Sequence, residues 1–564
     1  MKQKIILFLV LLTAAFGAHA YDFEVDSIYY DINGDEAIVT SDKSVGPLYS
    51  GTVYVKSEEP EPREYSYTSF DGFRYKLEYS SNDPMYSGTA TMLSRAYEDD
   101  GNYCSIEYEY WNTDSIFYIP SDIPSEYGLF KLTKILRGFW GATDIKTVII
   151  PSTVTHIGNR AFTQSSLESI EFENSSDYSA PPITFGGFIN DLDEDYDDGS
   201  SIFQNCERLT TVEFERMINR LPSFTFANCP ELKSIHFLDY YFNPDNMPLD
   251  TIGICAFLSC NNLTDFKIPN SVKVLAPGAF AHCHSLENIN LPANLTAIGD
   301  YAFAECHQLD DITLNPSLQY IGEGAFLNCW ALTSMSIPDN ITTIRDFTFY
   351  DCRNLTDLNI NNVTTFGELS FAGCHKLTSI DLTNAQSIGE GAFYGGKVTC
   401  SVRSDSYPRI STHEESWGED YNLGSLKKIT LGDAISALYD NTFIGHIPDT
   451  VTCLAPVPPI NTWWVFCPDA YDTSVLCVPQ VLVNDYREAY GWSEFTHIEG
   501  LTIMGNGDVN GDDQLNIGDV TAMIDMLLDI QAGTFNRVNA DVNGDGTINI
   551  SDVTALIDKL LANQ

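Results

Sequence analysis

Near the C-terminus, two stretches set oxygen-bearing side chains at matching points of a twelve-residue frame. The first is Asp508, Asn510, Asp512, Gln514, Asn516 and Asp519; the second, 33 residues on, is Asp541, Asn543, Asp545, Thr547, Asn549 and Asp552. Side-chain oxygens at positions 1, 3, 5, 9 and 12 join a backbone carbonyl at position 7, from Gln514 or Thr547. This all-oxygen donor set suits the hard Ca2+ ion, which takes six to eight oxygens. Two calcium ions, one per frame, are the expected cofactors. Catalytic chemistry finds no comparable footing. The chain has no Gly-x-Ser-x-Gly elbow, Walker loop or His-Glu-x-x-His, and His413-Glu-Glu-Ser416 lacks the second His. A glycoside hydrolase needs two carboxylates roughly 5 to 9.5 Å apart in a cleft, and no recurring pair is brought together by the sequence pattern. No catalytic residue is expected.

Each frame runs into a helical stripe at i, i+3, i+4, i+7, i+8: Val520, Met523, Ile524, Leu527 and Leu528, then Val553, Leu556, Ile557, Leu560 and Leu561. No helix-like stripe precedes either frame, and Asp519 and Asp552 stand where an EF-hand has Glu. With these features, residues 505 to 562 resemble a type I dockerin. The resemblance implies a cohesin module on another protein as partner, chosen in part by frame positions 10 and 11. Here those are Ile517 and Gly518, then Ile550 and Ser551, where many dockerins carry a hydroxyl pair.

Charge and targeting narrow the setting. Against 78 acidic residues stand 30 basic ones, and the net charge of -48 repels nucleic acid phosphates and anionic membranes. From Asp508 onward there are ten Asp, no Glu, and only Arg537 and Lys559 in opposition; such a segment needs a cation to fold. Residues 1–20 read as a secretory signal peptide: Lys2 and Lys4, an apolar run from Ile5 to Leu12, and Ala18-His19-Ala20 with cleavage after Ala20. No later stretch reaches the roughly 18 apolar residues of a transmembrane span. A secreted, extracellular or cell-surface protein is expected.

The middle of the chain repeats. Cys260, Cys283, Cys306, Cys329 and Cys352 are 23 residues apart, as are Cys206 and Cys229, and Cys374 follows at 22. Three residues before these cysteines stand Phe203, Phe226, Phe257, Phe280, Phe303, Phe326, Phe349 and Phe371, and Phe162 and Phe393 extend the series. The unit is clearest as Leu286-x-x-Ile289-x-Leu291-Pro292-x-x-Leu295-x-x-Ile298-Gly299-x-x-Ala302-Phe303-x-x-Cys306, a period that means a solenoid whose coils share apolar columns. Residues 132–396 resemble the BspA-like leucine-rich repeat, whose members are secreted or surface proteins associated with binding and adhesion. The expected fold is therefore a β-strand-rich leucine-rich-repeat solenoid of 23-residue period, with a β-rich N-terminal region or cap (21–131), irregular repeats and a C-terminal cap (397–500), and a small all-α calcium-binding module (505–564). Two insertions interrupt the array, one holding the acidic run 191–198, a solvated loop or a further calcium site.

Fourteen cysteines in an exported chain suggest disulfides. Equivalent side chains on stacked coils point parallel, however, so the ladder is expected to hold buried free thiols. Cysteines 104, 255, 400, 453, 467 and 477 lie off the ladder and are the better disulfide candidates, Cys467 and Cys477 being nearest in sequence. His284, His307 and His375 follow ladder cysteines and raise the question of zinc. The same position elsewhere holds Glu207, Pro230, Asn261, Trp330 and Arg353, which reads as an unconstrained outward site. Strand alternation turns Asn288 and Asn290 outward, with Asp265 and Lys267, Asp311 and Thr313, Ser334 and Ser336, Asp357 and Asn359, and Ser379 and Asp381 in register. That face is small and polar. The expected function is binding or adhesion to a host or bacterial surface protein or glycan, with calcium-dependent attachment to a cohesin-type partner. The contrasting expectation is a glycoside hydrolase component of a polysaccharide-degrading complex.

Overall fold

The computed structural model describes short strands between residues 28 and 95, and then residues 116–562 apart from 126–127, 137, 144, 174–181, 187–200, 215–216, 238–247, 265, 397–423, 462–463, 513 and 531–534. The signal segment 1–20, Cys104, Cys400, Asp265 and the acidic run 191–198 lie outside the described residues.

The chain winds into a β-solenoid of about 13 turns. Its short strands pair from coil to coil in parallel, along two lines of ladders. Along one, Thr251–Ile252, Val274–Leu275, Ala297–Ile298 and Tyr320–Ile321 pair in order, with Val274 opposite Ala297 and Ala297 opposite Tyr320. A partner 23 residues away is the next coil, so the sequence period is the sheet register. Along the other, Ser334–Ser336 pairs with Asp357–Asn359, and the central Met335 is buried between exposed Ser334 and Ser336, as alternation requires.

One column of phenylalanines holds the coils together. From Phe139 through Phe162, Phe203 and every ladder Phe to Phe393, Phe443 and Phe466, successive rings lie 5.0–5.7 Å apart and within 4–15° of parallel. Each fully buried ring contributes about 1.5–3 kcal/mol. The Ile-Gly step of the repeat has a steric cause: a Cβ on Gly299 would meet the Pro277 nitrogen at 2.6 Å, and one on Gly322 the Asp300 nitrogen at 2.4 Å. Backbone of the preceding coil fills that space.

The cysteines beside this column are free and buried. Cys283 Sγ donates to the Phe257 carbonyl, Cys306 to Phe280 and Cys329 to Phe303, each at 3.2 Å. The thiol thus satisfies a carbonyl of the coil before it, and burial pushes Cys260 up to about 12, far from a reactive thiolate. Among the described residues the expected disulfides off the ladder do not form: Cys255, Cys453, Cys467 and Cys477 are free as well. Closeness in sequence misled here, because Cys467 precedes the helix Pro468–Thr473 and turns its Sγ to the His446 carbonyl at 3.1 Å, while Cys477 lies on the strand Val475–Pro479 beyond that helix. Cys453 instead receives the Tyr486 hydroxyl at 3.2 Å.

Both ends are closed. The antiparallel strands Arg63–Phe70, Phe73–Tyr79 and Gly88–Arg95 continue into the solenoid sheet, since Gly88–Arg95 pairs in parallel with Gly128–Ile135. Phe73 packs 5.1 Å from Phe139, at the first ring of the column. Past residue 396, where the Cys spacing is lost, coiling goes on: Ser379–Leu382, Lys428–Leu431, Thr450–Cys453, Val475–Pro479 and His497–Leu501 form one parallel sheet. His446 takes the cysteine's place there, its Nε2 at 2.7 Å from the Phe393 carbonyl. Tyr486 and Trp492, both fully buried, close the end by donating to the carbonyls of Ala455 and Pro459.

Candidate calcium and partner site

The helices Ile517–Leu527 and Ile550–Ala562 follow the two frames. Position 9 caps each one. Asn516 Oδ1 accepts from Gly518 N at 2.7 Å, and Asn549 Oδ1 from Ser551 N at 2.8 Å. Position 12 answers with the other half of a capping box: Asp519 Oδ2 accepts from Asn516 N at 2.8 Å, and Asp552 Oδ2 from Asn549 N at 3.0 Å. The second oxygen of each carboxylate reaches the start of the frame, Asp519 Oδ1 to Val509 N at 2.9 Å and Asp552 Oδ1 to Asn543 N at 3.1 Å. The carboxylate at position 12 therefore ties both ends of its frame and is itself fully buried.

Position 1 organises the turn. Asp508 Oδ1 accepts from Gly511 N at 2.8 Å, and Asp541 uses its two oxygens for Asp545 N at 3.0 Å and Gly546 N at 2.8 Å. Gly511 and Gly544, at φ of 70° and 69°, turn each frame through the left-handed region. Hydrogen bonds from the Thr547 hydroxyl and amide hold the Asp545 carboxyl below the usual range. Each frame gathers three carboxylates, two amide side chains and only oxygen donors. The module's two basic side chains are used elsewhere: Arg537 pairs with Asp485 and donates to the Val481 carbonyl at 3.0 Å, both on the solenoid's end, and Lys559 Nζ donates to Asn506 O at 2.8 Å. The residues present fit a hard cation, and their charge asks for one.

The helical stripes are divided. Val520, Met523, Val553 and Leu556 are buried with Val509, Ala540 and Val542. Ile524, Leu527, Leu528, Ile557 and Leu561 are exposed, as are Ile517 and Ile550 at position 10, the last two at 71% and 70%. Half of what the pattern offers as core is an open apolar face. A one-turn helix, Arg537–Ala540, precedes the second frame, too short to show a stripe. Between solenoid and module, Gly500 and Leu501 pair with Val478 and Pro479, and Gly505 N donates to Asp541 O at 2.6 Å.

On the solenoid, the outward strand positions stand as alternation predicts, with Asn288, Asn290, Asp311, Thr313, Asp357 and Asn359 exposed. In four successive coils the position after the ladder cysteine is not unconstrained. His284 stacks on His307 at 4.6 Å, His307 on Trp330 at 3.6 Å, and the Arg353 guanidinium lies 4.5 Å over Trp330. Single-sequence columns of unlike residues gave no sign of this. Earlier coils leave a polar groove on the same flank, lined by Gln164, Asn205, Glu207, Asn228, Ser259 and Asn261.

Coils with paired parallel strands and a phenylalanine column, followed by a duplicated oxygen-lined helical module, define a leucine-rich-repeat solenoid with an attachment domain. Six copies of the BspA type leucine rich repeat region match at residues 131–182, 199–310, 243–356, 273–399 and 329–448, together more than half of the chain. The chain belongs to that family, and residues 506–561 are a dockerin type I domain. Comparison with curated proteins finds no match. Among solved structures, a leucine-rich repeat protein from Bacteroides ovatus is 20% identical, covering 69% of this chain and 94% of its own at a TM-score of 0.40. A leucine rich cell surface protein from Faecalibacterium prausnitzii is also 20% identical, over 67% and 92%, with TM-score 0.40. The leucine rich repeat protein of T. pallidum is 27% identical over 31% of this chain and 80% of its own, with TM-score 0.28. The family assignment rests on the repeat match, not on these superpositions. Dockerin type I domains bind calcium and imply a cohesin partner. Proteins with these two parts are typically extracellular or at the cell surface, and among the described residues no helix is long and apolar enough to cross a membrane.

Proposed function

We propose that the protein is an exported recognition solenoid fastened to a larger assembly through its C-terminal module. Asp508, Asn510, Asp512, Gln514, Asn516 and Asp519 hold one calcium ion, and Asp541, Asn543, Asp545, Thr547, Asn549 and Asp552 a second. Bound cations offset the carboxylate repulsion and fix the helix starts, which presents the open apolar face, with Ile517 and Ile550 at matching places, to a cohesin-type module. The observation that carries this reading is the pairing of two all-oxygen frames with a duplicated exposed isoleucine, since a solitary module would bury such residues. The solenoid, with its polar strand face and stacked flank, engages a protein or glycan of a host or bacterial surface.

The test is a pull-down from extracellular and surface fractions, with and without calcium, comparing the full chain with a form ending at Gly500. Capture of a cohesin-bearing protein only by the full chain, and only with calcium, is expected; equal capture by both forms would sink the attachment role. A parallel screen on polysaccharides and matrix proteins reads binding, and released sugar would overturn the non-enzymatic reading.

A further inference from the structure

We infer that His282, His284 and Glu305 form a transition-metal site, of the class that takes Zn2+, on the flank of the solenoid. Their ligating atoms all lie within 4.8 Å of one another. Three independent features bring them there. His282 and Glu305 occupy the same place on successive coils, immediately before the ladder cysteine, and both hold the left-handed backbone at φ of 60° and 63°. Their side chains therefore leave their coils in the same direction, one coil spacing of about 4.8 Å apart. His284 stands two residues after His282, and its ring meets that of His282 edge to face at 5.7 Å.

The environment favours ligation. Glu305 and His282 are buried and His284 is half-buried. Glu305 is hydrogen-bonded by His307 and Asn328. Those two neighbours supply the outer support that metal-binding carboxylates usually have: Asn328 Nδ2 lies 2.8 Å from Oε1, and His307 Nε2 lies 2.8 Å from Oε2. His307 is in turn clamped between His284 and Trp330 by stacking.

Two imidazoles and one carboxylate are a donor set for zinc or a similar first-row ion with an open coordination position. They are a poor one for Ca2+, which takes oxygen. The site therefore differs in ion class from the C-terminal frames, and it stands or falls independently of them. One comparison within the molecule shows that the arrangement is not forced by the repeat. Three coils on from His282 and His284, Asp351 and Arg353 fill the same two positions and neutralise each other in an ion pair, Nη2 to Oδ2 at 2.6 Å. Among the described residues, the coil of His282 and His284 stacked on that of Glu305 is where three such ligand atoms converge.

The experiment uses the full chain, stripped of metal and returned to excess CaCl2 so that the C-terminal frames are filled. Zn2+ is then titrated by calorimetry and by competition with a chromophoric chelator, and Co2+ is added separately to read visible absorption. One Zn2+ per chain is expected, with Co2+ giving a d–d band. Affinity should fall at least about 100-fold in Glu305→Gln and in His284→Ala, and about 10- to 100-fold in His307→Ala, which removes only outer support. His284 is half-exposed, so its variant should keep the fold, checked by unchanged thermal unfolding without zinc. Absence of saturable Zn2+ binding in the parent protein, or binding that His284→Ala and Glu305→Gln leave unchanged, overturns the site.

Discussion

Removing calcium should unfold the C-terminal module and leave the solenoid standing. The module spans residues 506–561 and buries few apolar side chains, of which Met523 and Leu556 are the largest aliphatic ones. At about 0.05–0.15 kcal/mol per residue, a segment of roughly 60 residues has at most about 3–9 kcal/mol of stability. A ligand at 100 times its Kd adds about 2.7 kcal/mol per site, so two ions contribute about 5 kcal/mol. Chelation removes that sum and exposes the three carboxylates of each frame to one another, with Arg537 and Lys559 held elsewhere. Hydrogen exchange read by mass spectrometry separates the parts. In EDTA, amides of Ile517–Leu527 and Ile550–Ala562 should lose protection while those of Ala297–Ile298 and Tyr320–Ile321 keep theirs. Asp508→Ala combined with Asp541→Ala should reproduce the effect in calcium. Helices that keep full protection in EDTA would refute the reasoning, because capping and the small core would then suffice alone.

Other outcomes follow from the same physics. Phe303→Ala removes a ring stacked between Phe280 and Phe326 and should cost about 3–5 kcal/mol; thiol labelling should rise first at Cys283, Cys306 and Cys329, and uniform labelling of all cysteines would contradict a coil-by-coil core. His446 is buried and lowered to about 4 by burial, with its Nδ1 accepting from Leu426 N at 3.2 Å, so protonation is opposed in the folded state but not in the unfolded one. Its contribution is therefore complete above pH 6.5 and is lost as pH falls toward 4, about 3 kcal/mol in all; urea titrations of wild type and His446→Cys should differ in slope across that window, and parallel curves would refute the assignment. Arg537→Ala should cost the module at most about 1 kcal/mol yet loosen its seat on Asp485 and Val481, read as wider interdomain distances by small-angle scattering.

The sequence made legible whatever repeats in a column. A 23-residue offset is the strand register, so Phe303, Cys306 and the outward Asn288 and Asn290 were assigned by counting alone. The two frames repeat in the same manner, oxygen-bearing residue types at matching spacing, as calcium ligation would require. What escaped was contact between unlike residues. His282 and His284 meet Glu305 across two columns, and His284, His307, Trp330 and Arg353 stack although no two successive steps share chemistry; a search for recurrence discards such sets as variable. The continuation beyond residue 396 was obscured for a related reason. His446 satisfies the Phe393 carbonyl as a thiol would, and only the hydrogen bond reveals the equivalence. Disulfide pairing failed on proximity, since Cys467 and Cys477 are separated by the helix Pro468–Thr473.

The cysteine ladder carries a consequence for how the chain is made. A scaffold fastened by disulfides must wait for an oxidant and search among alternative pairings, and it weakens when reductant returns. Here each thiol donates to a carbonyl one coil back and is sealed under phenylalanine, so the winding of the chain proceeds without electron transfer. Along the described ladder, from Cys206 to Cys374, the coils are joined without any bond that a change of redox state would make or break.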